Sequence, residues 1–167
     1  FRKMTKVGLY FGTFNPIHIG HCVIAQHMLE FTDLDQVWFV VTPHNPHKKK
    51  SSLLDDHQRL HMVNLAVGNH YKLRVSDVEF GLPQPSYTSA TLAYLTEKFP
   101  EKTFHLIMGA DNLESFPKWK NHEAILEQHE KTGVDISSMR AVTGLEVPET
   151  IEKYQDMTGG TFYAMYG

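Results

Sequence analysis

"KVGLYFGTFNPIHIGH", residues 6–21, is the stretch whose reading decides the fold. Its first half, "KVGLYFG", is a short β-rich run closed by Gly12, and it reads as a buried strand. Its second half turns at once into helical sequence. Ile24, Met28 and Phe31 recur at helical spacing, so a helix is expected from about His18 to Phe31. Between strand and helix sit Gly12, Thr13, Pro16, His18 and His21. A glycine leaving a strand permits close approach of a ligand to the backbone. The free N–H groups at the start of the following helix favour an anion. His18 and His21 are three apart and share a face if both lie in the first turn. Two imidazoles there can donate hydrogen bonds to phosphate oxygens and stabilise charge on a leaving pyrophosphate. Simple capping and packing, or a metal, are the rival uses of such a pair. The dinucleotide fingerprint G-x-G-x-x-G and the P-loop G-x-x-x-x-G-K-[ST] are both absent from this turn. A phosphate site here therefore belongs to another class.

The same unit recurs along the chain. "VWFVVT" (37–42) is almost wholly β-branched or aromatic, as in a strand covered on both faces. A polar loop, "PHNPHKKKSS" (43–52), precedes a helix marked by Leu60, Val63 and Val67, with Ser52 or Asp55 as its cap; Arg59 and His61 read as surface residues of it. "YKLRVSDVEF" (71–80) alternates as a third strand. The following helix carries Leu92, Leu95 and Phe99, with Ser86 or Thr88 as its cap. "TFHLIMGADN" (103–112) reads as a fourth strand, followed by a short helix in "NHEAILEQH". Such alternation predicts an α/β fold with a mainly parallel sheet. Ligands of such sheets bind at the carboxyl ends of the strands. The chemistry-bearing segments, 12–21, 43–50, 81–88 and 109–119, each follow a strand, which points to a single site.

Composition narrows the choice. The 167 residues are 41% hydrophobic and 21% charged, which suits one globular domain over 1–167. The part from about 130 to 167 shows no convincing central strand. A formal net charge of −3 argues against a general nucleic-acid binder. Cys22 is the only cysteine, so no intrachain disulfide exists and a reducing, cytoplasmic setting is expected. No apolar run approaches the roughly 18 residues of a membrane span, and the N-terminal run lacks a cleavage-site pattern. No nucleic acid and no membrane are expected as partners; self-association is left open.

"GTFNPIHIGH" resembles the T/H-x-G-H nucleotidyltransferase signature, with His18-Ile19-Gly20-His21 as its core. "TPHNPHKKK", "PSYTSATL" and "MGADNLESFPKW" then resemble, in the same order, segments of bacterial nicotinate mononucleotide adenylyltransferases. The resemblance covers about residues 6–128. It implies a Rossmann-like, doubly wound sheet with helices on both faces. It also implies adenylyl transfer from ATP to nicotinate mononucleotide, giving deamido-NAD and pyrophosphate, with Mg²⁺. Gly12, Thr13, His18 and His21 then meet the ATP phosphates, joined by His47 and Lys48. Gly109 and Asp111 meet the adenosine ribose. Tyr87, Thr88 and the stacking ring of Trp119 take the nicotinate side.

Alone, each of these has a plainer use: Lys48–Lys50 as a solvated run, Trp119 as packing, Asp111 as a helix cap, Tyr87 and Thr88 as a helix entry. The chain also departs from the family's pattern. Phe11 and Asn15 stand where glycine and aspartate are usual. The family's C-terminal phosphate-binding motif is matched by Ile136-Ser137-Ser138, but Arg140 arrives only two residues later. Ser138 and Arg140 are the candidates for that role. Phosphopantetheine adenylyltransferase and an inactive nucleotide-binding module are the alternatives. Class I aminoacyl-tRNA synthetases share the "HIGH" string, but this chain is short and lacks a convincing partner loop.

Overall fold

In a computed structural model of the chain, residues 4–43, 53–109, 112 and 115–125 are described. Strand β1 (Thr5–Gly12) leads to helix α1 (Ile19–Phe31), β2 (Gln36–Val41), α2 (Asp56–Val67), β3 (Leu73–Ser76), α3 (Thr88–Lys98) and β4 (Lys102–Ile107). Short 3₁₀ turns follow at Val78–Gly81 and Phe116–Lys118. Among the described residues the sheet has four strands in the order β3-β2-β1-β4, and every pairing is parallel. The register sets Leu9 beside Trp38 and Leu106, and Gly12 beside Val41.

Strand periodicity sends alternate residues to opposite faces. Val7, Leu9, Trp38, Val40, Phe104 and Leu106 meet Leu92 and Leu95 of α3 in one core. Val37, Phe39, Val41 and Ile107 meet Ala25, Met28 and Leu29 of α1 and Val63 and Val67 of α2 in the other. Helices thus cover both faces of a Rossmann-like α/β sheet, as expected. Burial on both faces explains why β2 is an unbroken apolar run. Each fully buried side chain of this size contributes about 1.5–3 kcal/mol.

Three local expectations change. The third strand is only four residues long: Phe80 N–H bonds back to the Asp77 carbonyl at 2.8 Å and turns the chain into the 3₁₀ segment. Val78 and Phe80 then pack against different cores, which a continued strand would not allow. Phe31 is 60% exposed and stacks on His27, while Ala25, Met28 and Leu29 make the buried stripe of α1. Helix α3 is capped by Tyr87, without a side-chain cap bond, because the Ser86 hydroxyl has another partner. Asp55 does cap α2, accepting from the N–H groups of His57 and Gln58 at 3.0 and 3.3 Å.

Candidate active site

β1 is central, and the chain reaches β2 and β3 on one side of it and β4 on the other. The sheet's switch point therefore lies between β1 and β4, where ligands of open α/β sheets bind. A cleft of about 480 Å³ opens there, lined by Tyr10–Thr13, Thr42, Glu79, Ser86–Thr88, Leu106–Gly109, Asn112 and Lys118–Lys120.

The turn from β1 to α1 is built on aromatic packing. Phe14 is 2% exposed and holds a left-handed φ of 45°. Its ring meets Tyr10, Phe39 and His21 at 5.7, 5.5 and 5.2 Å between centroids. A Cβ on Gly12 would come within 2.9 Å of that ring, so glycine is what admits the turn. Above the nest, the rings of His18 and His21 lie 3.8 Å apart and 32° from parallel. A Cβ on Gly20 would sit 3.1 Å from the His18 ring, which accounts for the glycine between the two histidines. The His18 backbone N–H donates to His21 Nδ1 at 3.2 Å. With Nδ1 accepting, the proton of the neutral ring sits on Nε2. Burial, and next the charge of His18, hold the His21 imidazole below its ordinary range. His21 is thus a neutral donor rather than a fixed cation. Asn15 serves the turn through its Oδ1, which accepts from Leu54 N–H at 3.0 Å.

Arg59 is the first residue that sequence reasoning misplaced. It is 0% exposed and lies under the loops that leave β1 and β2. Nη1 donates to the carbonyls of Thr13 and Thr42 at 2.5 and 3.0 Å. Nη2 reaches the Pro43 carbonyl at 3.5 Å and the Asp56 carboxylate at 2.5 Å, and Nε reaches the Leu54 carbonyl at 3.1 Å. Thr42 N–H closes the frame by donating to the Gly12 carbonyl at 2.9 Å. Its five donors in a fixed fork suit this task. The signal in the sequence was faint: Arg59 lies four residues before Val63 and eight before Val67, on the buried stripe of α2.

On the other side of the cleft lies Glu79, which the sequence reading assigned to a strand without a role. It is 2% exposed. Its Oε1 accepts from the Thr91 hydroxyl at 2.7 Å and its Oε2 from the Ser86 hydroxyl at 3.2 Å. The Thr42 hydroxyl, in the same cleft wall, also favours its ionised form. Burial pushes this carboxyl up, and the hydroxyls of Thr91, Thr42 and Ser86 pull the other way. Beyond it stand the aromatic residues. Trp119 donates from Nε1 to Ser115 Oγ at 3.2 Å and packs on Phe116, which leaves one part of its ring system in the cleft wall. Lys120 holds its ammonium 4.5 Å over the Tyr87 ring.

Of the sequence candidates, Gly12, Thr13, Tyr87, Thr88, Gly109 and Trp119 line the one cleft. His18 and His21 are not among its lining residues; they join it through Tyr10, whose ring lies 6.1 Å from that of His21. His47, Lys48, Asp111, Ser138 and Arg140 lie outside the described residues. Lys118 and Lys120, unremarked in the sequence, add positive charge to the aromatic side of the rim. Among the described residues no group of three or more His, Cys, Asp or Glu side chains is placed to hold a metal.

A turn suited to phosphate faces an aromatic, cation-rimmed wall. Residues 9–158 match the cytidylyltransferase-like family. The chain belongs to that family. Curated relatives sharpen the placement of this cytidylyltransferase-like chain. It is 68% identical over 125 residues to the probable nicotinate-nucleotide adenylyltransferase of Flavobacterium psychrophilum, a match that takes in 75% of this chain and 65% of that protein. It is 37% identical over 142 residues to the protein of the same name from Porphyromonas gingivalis, with 82% and 72% covered. The chain thus spans 65% of the length of the Flavobacterium relative. Nicotinic acid mononucleotide adenylyltransferase of Plasmodium falciparum, solved in complex with NaAD, shares the fold with a TM-score of 0.68 at 17% identity, covering 98% of this chain and 75% of that one.

Proposed function

We propose that this chain is a single nucleotidyltransferase domain that transfers the adenylyl group of ATP to nicotinate mononucleotide, releasing pyrophosphate and forming deamido-NAD. One observation supports the reading: a single cleft at the switch point joins Gly12 and Thr13, where the turn that carries His18 and His21 begins, to the wall of Tyr87, Trp119, Lys118 and Lys120. The names of the curated relatives agree with it.

In this reading a phosphate oxygen of the mononucleotide attacks the α-phosphorus of ATP. The bond from that phosphorus to the bridging oxygen breaks, and pyrophosphate leaves with the electron pair. The attacking oxygen is already anionic, so no general base is needed, and positioning with charge compensation does most of the work. Thr13, His18 and His21, with the Gly12 backbone, take the ATP phosphates. The neutral His21 Nε2–H suits an oxygen on which negative charge grows. His47, Lys48, Ser138 and Arg140 are assigned to the same phosphates, and Gly109 and Asp111 to the ribose. Tyr87, Thr88 and Trp119 take the pyridine ring. The ammonium groups of Lys118 and Lys120 favour a nicotinate carboxylate over a neutral carboxamide. The donors beside the turn are imidazole, hydroxyl and backbone N–H, which suit phosphate oxygens rather than a divalent cation. Mg²⁺ is therefore assigned to the phosphates of ATP itself, whose charge it would offset. A substrate set of ATP and a free mononucleotide fits the cytoplasm. Among the described residues no helix is long and apolar enough to cross a membrane.

Pyrophosphate release with ATP and Mg²⁺ tests the reading, offering nicotinate mononucleotide, nicotinamide mononucleotide and phosphopantetheine in parallel. Turnover is expected with the nicotinate compound and much less with the amide. Turnover only with phosphopantetheine overturns the assignment, and nucleotide binding without turnover on any acceptor favours an inactive module. His18→Ala is expected to lower kcat by about 100-fold or more, with a melting temperature close to that of the parent because His18 is exposed.

A further inference from the structure

The two misplaced residues, Arg59 and Glu79, meet at Thr42. Arg59 holds the Thr42 carbonyl at 3.0 Å, and the Thr42 and Glu79 side chains stand in one cleft wall, where the hydroxyl favours the ionised carboxylate. On one side this path continues to the Thr13 carbonyl in the phosphate turn. On the other it continues to Ser86 and Thr91, which bracket Tyr87 and Thr88. Thr91 Oγ1 also lies 3.3 Å from the Tyr87 carbonyl, so the first turn of α3 is pinned at both ends. The path is buried except at Thr42, which is half-buried in the cleft wall: Arg59 and Thr91 are 0% exposed, Glu79 2% and Ser86 5%.

We propose that Glu79 is a positioning residue that fixes the distance between the two substrate sites. Through Ser86 and Thr91 it sets where the acceptor-side wall begins, and through Thr42 it ties that wall to the Arg59-held phosphate turn. The inference rests on the adenylyl-transfer reading. Its physical content is that two bound substrates must meet in line, and a misplacement of about 1 Å costs on the order of 100-fold in rate. Each substrate keeps its own contacts when the brace is cut, so binding of ATP changes little while the chemical step slows.

The test measures kcat and both KM values for the parent chain and for Glu79→Gln, Thr42→Val and Thr42→Ser, with the folded fraction of each fixed by its melting curve. Glu79→Gln keeps the volume and removes a charged acceptor. Thr42→Val keeps the shape, and the carbonyl that Arg59 uses, but deletes the hydroxyl. Thr42→Ser keeps the hydroxyl. Glu79→Gln and Thr42→Val are expected to lower kcat by about 10–100-fold, with KM for ATP within about threefold of the parent. Thr42→Ser is expected to recover most of what Thr42→Val loses. Parental kcat in the folded Glu79→Gln and Thr42→Val proteins overturns the inference, as does an equal loss in Thr42→Val and Thr42→Ser. Absence of turnover on nicotinate mononucleotide by the parent chain is a different failure: it removes the adenylyl-transfer reading, and the brace with it.

Discussion

The two sides of the cleft are held by buried charges of opposite sign, and they are held differently. On the side of the Gly12–His21 turn, assigned above to phosphate, Arg59 gathers four backbone carbonyls and one carboxylate. On the side of Tyr87, assigned above to the acceptor, Glu79 holds the hydroxyls of Ser86 and Thr91, and that of Thr42 stands in the same cleft wall. Irregular loops leave backbone groups without the partners that strands and helices supply, and those groups need others. A carbonyl has a fixed direction and accepts only, so a site rich in them calls for a multidentate donor. A hydroxyl rotates and both donates and accepts. The cationic side is therefore rigid and hard to replace, whereas the anionic side is adaptable.

The largest effect follows from that contrast. Arg59→Met removes every donor at once and leaves the carbonyls of Thr13, Thr42, Pro43 and Leu54 facing an apolar chain. A loss of about 3–5 kcal/mol is expected, on the order of 10 °C in Tm. Arg59→Lys keeps the charge but not the fork, and should fall between. Chemical denaturation of the three proteins checks the order. A melting point for Arg59→Met equal to the parent's would mean that the cation is as replaceable as the anion.

Glu79→Gln should cost far less, about 1 kcal/mol at neutral pH, because the amide oxygen still accepts from one hydroxyl and the other turns to a new partner, which loosens the brace without unfolding it. Its pH dependence separates the two sides further. Burial holds the Glu79 carboxyl above its ordinary range. Over the interval from the unfolded value up to the native one, the native state keeps a proton that the unfolded chain has lost. Stability from this group is thus full below the unfolded value and is lost as pH rises through the native one. Urea midpoints of parent and Glu79→Gln across the acid-to-neutral range should converge at the acid end and differ in slope above it. Parallel curves would show that the carboxyl ionises as freely as in water.

What the sequence disclosed follows the same division. Strand and helix alternation, the parallel sheet and the post-strand placement of Gly12, Thr13, Tyr87, Thr88, Gly109 and Trp119 were legible, because hydrophobic period and chain order determine them. Arg59 and Glu79 were not. Each is a charged residue in a polar stretch, and local pattern treats such residues as solvated. Their burial is decided by partners far along the chain: Thr13 lies 46 residues from Arg59 and Thr91 lies 12 from Glu79. Glu79 was hidden further because the alternation of 71–80 imitates a strand beyond the point where Phe80 N–H closes a turn on Asp77. Lys118 and Lys120 escaped notice for the opposite reason: exposed lysines are ordinary, and only the cleft beside them gives them meaning.

The smallest effect at neutral pH asks how dry the phosphate side is. Tyr10 lines the cleft there, and its phenol is pushed up to about 12, first by burial and then by the charge of Cys22. Tyr10→Phe keeps the ring that meets Phe14 and Phe39. At neutral pH the two proteins should agree within about 0.5 kcal/mol. At higher pH they should part. Between about 10, where the phenol of the unfolded chain ionises, and about 12 the native state retains a proton that the unfolded state has released. The parent's stability then falls with rising pH by a term that Tyr10→Phe lacks. Denaturation of both proteins over this alkaline range, alongside phenolate absorbance of the native parent, measures that term. A Tyr10 phenol that ionises near 10 in the native protein would mean that water reaches the floor of the phosphate turn. The turn would then be wet at Tyr10 even though Arg59 beneath it is 0% exposed, and the charge compensation assigned to His18 and His21 would be acting in a wetter, weaker medium.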